Sequence, residues 1–83
     1  MKYKKPPENQ EVEALQYKGQ NARALMEWAG SKVDINSQLH IVRVKADGGV
    51  MYGTIGDYII KDADGSLELC RPALFSKLYI AVV

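Results

Sequence analysis

From Ser31 onward the chain is cut into short, β-branched runs by closely spaced turn signals, and this punctuation constrains the fold more than any other feature. Asp47-Gly48-Gly49 and Asp62-Ala63-Asp64-Gly65 supply Asp, Gly and the positive φ angles that tight hairpins require. Gly56-Asp57 marks a further bend. Between these breaks lie strand-length segments at 32–35, 39–44, 50–55, 58–61 and 66–70, rich in valine, isoleucine and tyrosine. Connections this short join neighbouring strands in antiparallel order.

The first third reads differently. In residues 12–18, Val12, Ala14 and Gln16 alternate with Glu13, Leu15 and Tyr17, and neither set is purely polar. That pattern predicts a strand covered in part on both faces. Gly19-Gln20-Asn21 breaks it, and Asn21 is a good N-cap. Ala22, Leu25, Met26 and Ala29 then recur at helical spacing, with Trp28 beside Leu25 and Gly30 as the stop. A helix this short does not stand alone in water, so it packs on the sheet. Arg71-Pro72 opens a single helical turn through Ser76, proline being tolerated at the first helical position. Residues 78–83 read as a last strand. The expected fold class is α+β: one helix packed on a curved antiparallel sheet or small, partly open barrel, plus a short C-terminal helical turn.

Eighty-three residues are enough for one small core, and 47% apolar with 25% charged residues is a globular balance, so we expect a single domain over 1–83. Lys2, Lys4 and Lys5 make a basic tip that ends in Pro6-Pro7, and residues 1–8 are expected to be solvated and flexible at their start. The rest of the chain holds 8 basic and 10 acidic residues, so no global charge draws it to nucleic acid or to an anionic membrane. The basic start is followed by Glu8-Asn9-Gln10-Glu11 rather than by an apolar stretch, and no run approaches the ~20 apolar residues of a membrane span. The expected setting is the cytoplasm, reducing, with Cys70 as a free thiol.

Tyr3-Lys4-Lys5-Pro6, Val12-Glu13-Ala14-Leu15-Gln16-Tyr17, Gly56-Asp57-Tyr58-Ile59-Ile60-Lys61, and Cys70, Pro72, Phe75 and Tyr79 occur in that order along the chain. In this set of motifs the chain resembles a family of small, mostly uncharacterised phage and prophage proteins. The likeness covers about a third of the sequence, at both ends. Asp62, Ala73, Leu78 and Ile80 depart from the family pattern, and residues 31–55 carry no part of it. The resemblance implies a phage origin, the host cytoplasm as setting and a shared scaffold. It brings over no catalytic residue.

The chemistry-bearing residues make no enzyme signature. Asp62, Asp64 and Gly65 imitate the start of a calcium loop, but Glu68 falls at position 7 of that loop rather than near position 12, so the stretch reads as a hairpin turn. Gly48, Gly49, Gly53 and Gly56 match no phosphate-binding fingerprint. Gly53, inside a strand, reads as a bulge or a sharp bend that closes a barrel. His40 and Cys70 lack a third, orienting group, Glu11 and Glu13 share a strand face without a pocket, and one cysteine with one histidine is too little for a zinc site. No enzyme activity, cofactor or metal is expected.

The expectation is therefore a non-enzymatic protein that binds a host macromolecule. Its leading form is steric inhibition of a host defence protein or another host protein. In that form Asp57, Asp62 and Asp64 meet a basic site, and Tyr58, Tyr79 and Ile80 supply anchors. Tyr3, Tyr17 and Trp28 are further aromatic candidates. The uncharged run 78–83 would serve as a homodimer edge, or would be simply core if the strand is internal. The alternative is a nucleic-acid module on which Arg43, Lys45, Tyr52 and Lys61, with Tyr58, share a strand face. Asp47, Asp57, Asp62 and Asp64 in the adjoining turns weaken that alternative by repelling phosphate. A third form is a homo-oligomeric phage structural or regulatory component.

Overall fold

The computed structural model describes residues 2–5 and 10–82. Its elements in chain order are β1 (Lys2–Lys4), β2 (Glu11–Gln16), α1 (Ala22–Ala29), a 3-10 turn (Gly30–Lys32), β3 (Val33–Asn36), β4 (Ile41–Ala46), β5 (Gly49–Gly53), β6 (Tyr58–Lys61), β7 (Leu67–Cys70), α2 (Pro72–Leu78) and β8 (Ile80–Ala81). The fold is α+β, with helices packed on antiparallel sheet and no closed barrel. β7-β6-β2-β1-β8 form a five-stranded sheet and β3-β4-β5 a three-stranded one.

Side-chain alternation gives the five-stranded sheet two covered faces. On one, Leu15, Tyr17, Ile59, Leu67 and Leu69 pack with Leu25 of α1 and with Val33, Val42 and Val44 of the smaller sheet. On the other, Tyr3, Val12, Ala14, Tyr58, Ile60 and Cys70 pack with Phe75 of α2 and with Tyr79. The mixed alternation of residues 12–17 is the sequence trace of this arrangement. Phe75 is the centre of the second layer. Its ring stacks on Tyr58 at 3.8 Å and on Tyr79 at 5.0 Å, and Tyr3 meets it edge-on at 4.8 Å.

Several boundaries differ from expectation. Lys2–Lys4 is a strand inside the sheet, between β2 and β8, because Tyr3 pairs with Val12 and buries part of its ring on Phe75. Of the rest of the expected flexible tip 1–8, residues 1 and 6–8 lie outside the described residues. Asn21 precedes α1 without capping it: its side chain turns back, accepting from the Lys18 N–H and donating to the Gln16 carbonyl. β4 begins at Ile41 rather than Leu39, because Asn36 Oδ1 accepts from the N–H groups of Gln38 and Leu39 and holds them in a turn. That turn ends at His40, whose φ of 54° lies in the left-handed region. The expected strand over 78–83 is short: α2 runs through Leu78, and Ile80–Ala81 pairs with β1 at the sheet edge, so it is not internal.

Gly53 closes no barrel. A Cβ there would lie 2.8 Å from Asp57 Oδ2 and 2.8 Å from Leu69 Cδ2, so glycine is required by the close approach of β5 to β7 and to the following turn. That turn is tied to the larger sheet. The Tyr17 N–H donates to the Asp57 carbonyl at 2.9 Å, the Gly56 N–H donates to the Tyr17 carbonyl at 2.8 Å, and the Gln16 amide donates to the Gly56 carbonyl.

Candidate functional site

The nominated residues fall into separate places. Asp57 is 5% exposed, and its Oδ2 accepts from the Thr54 N–H at 2.9 Å. It fixes the turn after β5, and no acidic surface includes it. That overturns an exposed cluster of Asp57, Asp62 and Asp64. Asp62 and Asp64 remain together in the β6–β7 hairpin, where the Ser66 hydroxyl donates to both carboxylates and the Ser66 N–H donates to Asp64. These bonds hold the Asp64 carboxyl below its usual range. The segment is a hairpin turn, closed by the Asp62 N–H on the Ser66 carbonyl.

Tyr58 and Tyr79 spend their ring faces on Phe75 and are half-buried, so they build the second core layer instead of projecting as anchors. Ile80 is 52% exposed at the β8 edge. Tyr17 is fully buried, and its hydroxyl shares a 3.3 Å hydrogen bond with His40 Nδ1. His40 therefore lies at the rim of the α1-side core, whereas Cys70 lies in the other cluster, with Val12, Ala14, Ile60 and Phe75. The two do not form a pair. Burial pushes the Cys70 thiol upward, away from the thiolate that nucleophilic chemistry uses. Among the described residues no group of three or more His, Cys, Asp or Glu side chains is placed to hold a metal, and no helix is long and apolar enough to cross a membrane.

The strand face proposed for nucleic acid comes together in part. The register opposes Arg43 to Tyr52, Lys45 to Val50 and Asp34 to Arg43. With Val42 and Val44 fully buried on the inner side, Arg43, Lys45, Tyr52 and Val50 share the outer side of β3-β4-β5. Lys61 does not join them. It lies in the five-stranded sheet, its ammonium 4.6 Å from the centre of the Trp28 ring, donating to the Trp28 carbonyl at 2.8 Å and standing 3.9 Å from Glu13. Tyr58 is likewise in that sheet.

The outer side also holds what the sequence reading left out. Ile41, on the same side as Arg43, is 40% exposed; Val50 is 49% and Tyr52 67% exposed. Leu39, 66% exposed, stands at the preceding turn. Asp34 pairs with the Arg43 guanidinium, whose proton is held more tightly by that hydrogen bond. Asp34, Asn36, Gln38, Ile41, Arg43 and Tyr52 border a shallow depression of about 550 Å³. A signal for this surface was present in Ile41-Val42-Arg43-Val44-Lys45: once Val42 and Val44 face inward, alternation places Ile41 outward, where a polar residue is the norm. The chain matches no family model, no curated protein and no solved structure.

Proposed function

We propose that this chain is a non-enzymatic binding protein that docks onto another protein through the outer face of β3-β4-β5. The observation that supports this reading is the row of exposed apolar side chains, Ile41, Val50 and Tyr52, on the outer side of a sheet whose inner side is anchored by Val42 and Val44. Apolar side chains grouped on an exposed face favour a partner that buries them. Tyrosine and arginine at its middle are the residue types that carry most interface energy. The sheet holds them rigidly, so little ordering cost is added on binding. The resemblance to phage proteins supports a host protein as the partner. Occlusion of a defence protein or another host factor is the specific role we propose, with the sheet face taking over from the acidic turn as the contact.

Nucleic acid is the second reading, favoured by the sharing of this face by Arg43, Lys45 and Tyr52. Arg43 is neutralised by Asp34, which leaves Lys45 as the cation of that row with no ion pair among the described residues. Backbone affinity for a polyanion needs several such charges. The test is a tagged capture from a host bacterial lysate, with and without nuclease, using the native chain, Ile41→Asp, Tyr52→Asp and the control Leu74→Asp, which changes an exposed residue of α2. The expected result is a protein partner that survives nuclease and the control change, and is lost with both outer-face changes. Capture that ignores those two changes, or that disappears with nuclease, overturns the reading.

A further inference from the structure

β5 is an unprotected strand edge. It ends the three-stranded sheet and, among the described residues, pairs only with β4. Its sequence, Gly49-Val50-Met51-Tyr52-Gly53, holds no charge and no proline. Natural sheets blunt their edges with charged residues, proline, bulges or very short strands. The other edges here obey that rule: β3 carries Asp34, and β8 is two residues long. β7, the end strand of the five-stranded sheet, carries Glu68. Across from β5 stands this same β7. At Gly53 the two strands touch through Leu69, yet no hydrogen bond joins them among the described residues. Toward the β4–β5 hairpin they are separated by an open cleft of about 550 Å³, bordered by Asp47, Val50, Met51, Asp62, Leu67 and Glu68.

The geometry points to this cleft as an acceptor for an extended segment of a partner protein, added as a strand to the free edge of β5. The chemistry of the lining names the segment. Met51 and Leu67 offer apolar contact, and Asp47, Asp62 and Glu68 bring three carboxylates, with no lysine or arginine among the bordering residues. Of the bases nearby, Lys45 stands on the outer side opposite Val50, and Lys32 donates to the Gly65 carbonyl at the tip of the β6–β7 hairpin. A strand alternating apolar and basic side chains matches this, its backbone pairing with β5 and its cations meeting the carboxylates. A second copy of this chain fits worse, since edge-to-edge pairing would set the same acidic rim against itself, and like charges across strands are destabilising.

The inference shares with the sheet-face reading the strand β5 and the premise that the partner is a protein, but it uses the edge of that strand rather than its outer side, and the two can fail separately. The probe is an acetylated heptapeptide alternating lysine and valine, compared with its glutamate–valine counterpart, by calorimetric titration and amide hydrogen exchange. The lysine peptide is expected to bind, to slow exchange in residues 49–53, and to weaken about tenfold or more with the double change Asp47→Lys and Glu68→Lys. Both positions are exposed, and a native circular dichroism spectrum checks the fold. Ile41→Asp, aimed at the sheet face, leaves peptide binding unchanged. The inference is overturned if neither peptide binds the folded protein, if both bind alike, or if protection falls elsewhere. Concentration-dependent self-association that protects the same amides overturns it too, since the occupant is then a second copy.

Discussion

The two sheets of this protein are built from strands of similar length, yet one is covered on both faces at its centre and the other on one face. β2 and β6 alternate between two buried environments, so Ala14 and Leu15, or Ile59 and Ile60, are adjacent in sequence and meet opposite cores. β4 alternates between one core and solvent, with Val42 and Val44 inward and Arg43 and Lys45 outward. Where both faces are covered, as at Leu15 or Ile60, a residue is constrained by packing whichever way it faces, whereas Glu11 and Glu13 earlier on β2 face solvent. An apolar residue on the outer side of the smaller sheet, such as Ile41 or Tyr52, is held there by no core, and the proposed docking rests on such residues being grouped on that side.

The sharpest way to break that contrast is at Phe75, which makes α2 a covering layer for the larger sheet. Its ring is 4% exposed and touches three tyrosines. Phe75→Ala is expected to cost about 3–5 kcal/mol, roughly half the stability of a chain of this size at ~0.1 kcal/mol per residue. Urea denaturation measures it. A loss below ~1 kcal/mol would show that α2 packs too loosely to cover the sheet, and both sheets would then be one-sided.

A smaller effect is expected at Gly53, where the two sheets come into contact. An alanine Cβ would meet Asp57 Oδ2 and Leu69 Cδ2, each at 2.8 Å. The Leu69 side chain can rotate away, but the Asp57 carboxylate is held by the Thr54 N–H inside a buried turn. Gly53→Ala is therefore expected to cost about 1–3 kcal/mol, as overpacking does, and to lower the thermal midpoint. A neutral result would mean that the junction gives way, and that the smaller sheet is not rigidly placed on the larger one.

These two positions also show how far the sequence could be read. α1 was legible because Ala22, Leu25, Met26 and Ala29 repeat at one period and Gly30 ends the helix with a φ of 74°. Both hairpins were legible from their Asp and Gly residues, although in the first the positive φ falls on Gly49 and Gly48 does not share it. β1 was not legible: three residues, Lys2-Tyr3-Lys4, contain one apolar side chain and so no period, and what orders them is Tyr3 meeting a phenylalanine 72 positions later. Asp57 was misread for a related reason. An aspartate after glycine looks like a solvated turn, and its burial depends on Tyr17, 40 residues earlier, whose N–H bonds the Asp57 carbonyl. Arg43, Lys45 and Tyr52 were placed on one face correctly because that inference needed only alternation within one hairpin. Lys61 was placed there wrongly because it needed the order of the sheets.

The smallest effect is expected on the outer face itself. Ile41→Thr and Tyr52→Thr keep strand-favouring side chains and remove the exposed apolar surface. Stability measured by urea titration is expected to stay within ~0.5 kcal/mol for each, as for surface changes that leave no cavity and strand no polar group. The inner anchors Val42 and Val44 are untouched and remain fully buried. The Tyr52 change takes away a ring that is two-thirds exposed, so little packing is lost with it. A loss near 2 kcal/mol would show that the ring lies against Arg43 and Ile41 tightly enough to act as core. The outer face would then be a satellite cluster closed upon itself, and the contrast between the two sheets would be one of degree. Near-neutral stability combined with lost capture of the partner would leave intermolecular contact as the reason for apolar residues at these positions, because the fold would have been shown not to need them.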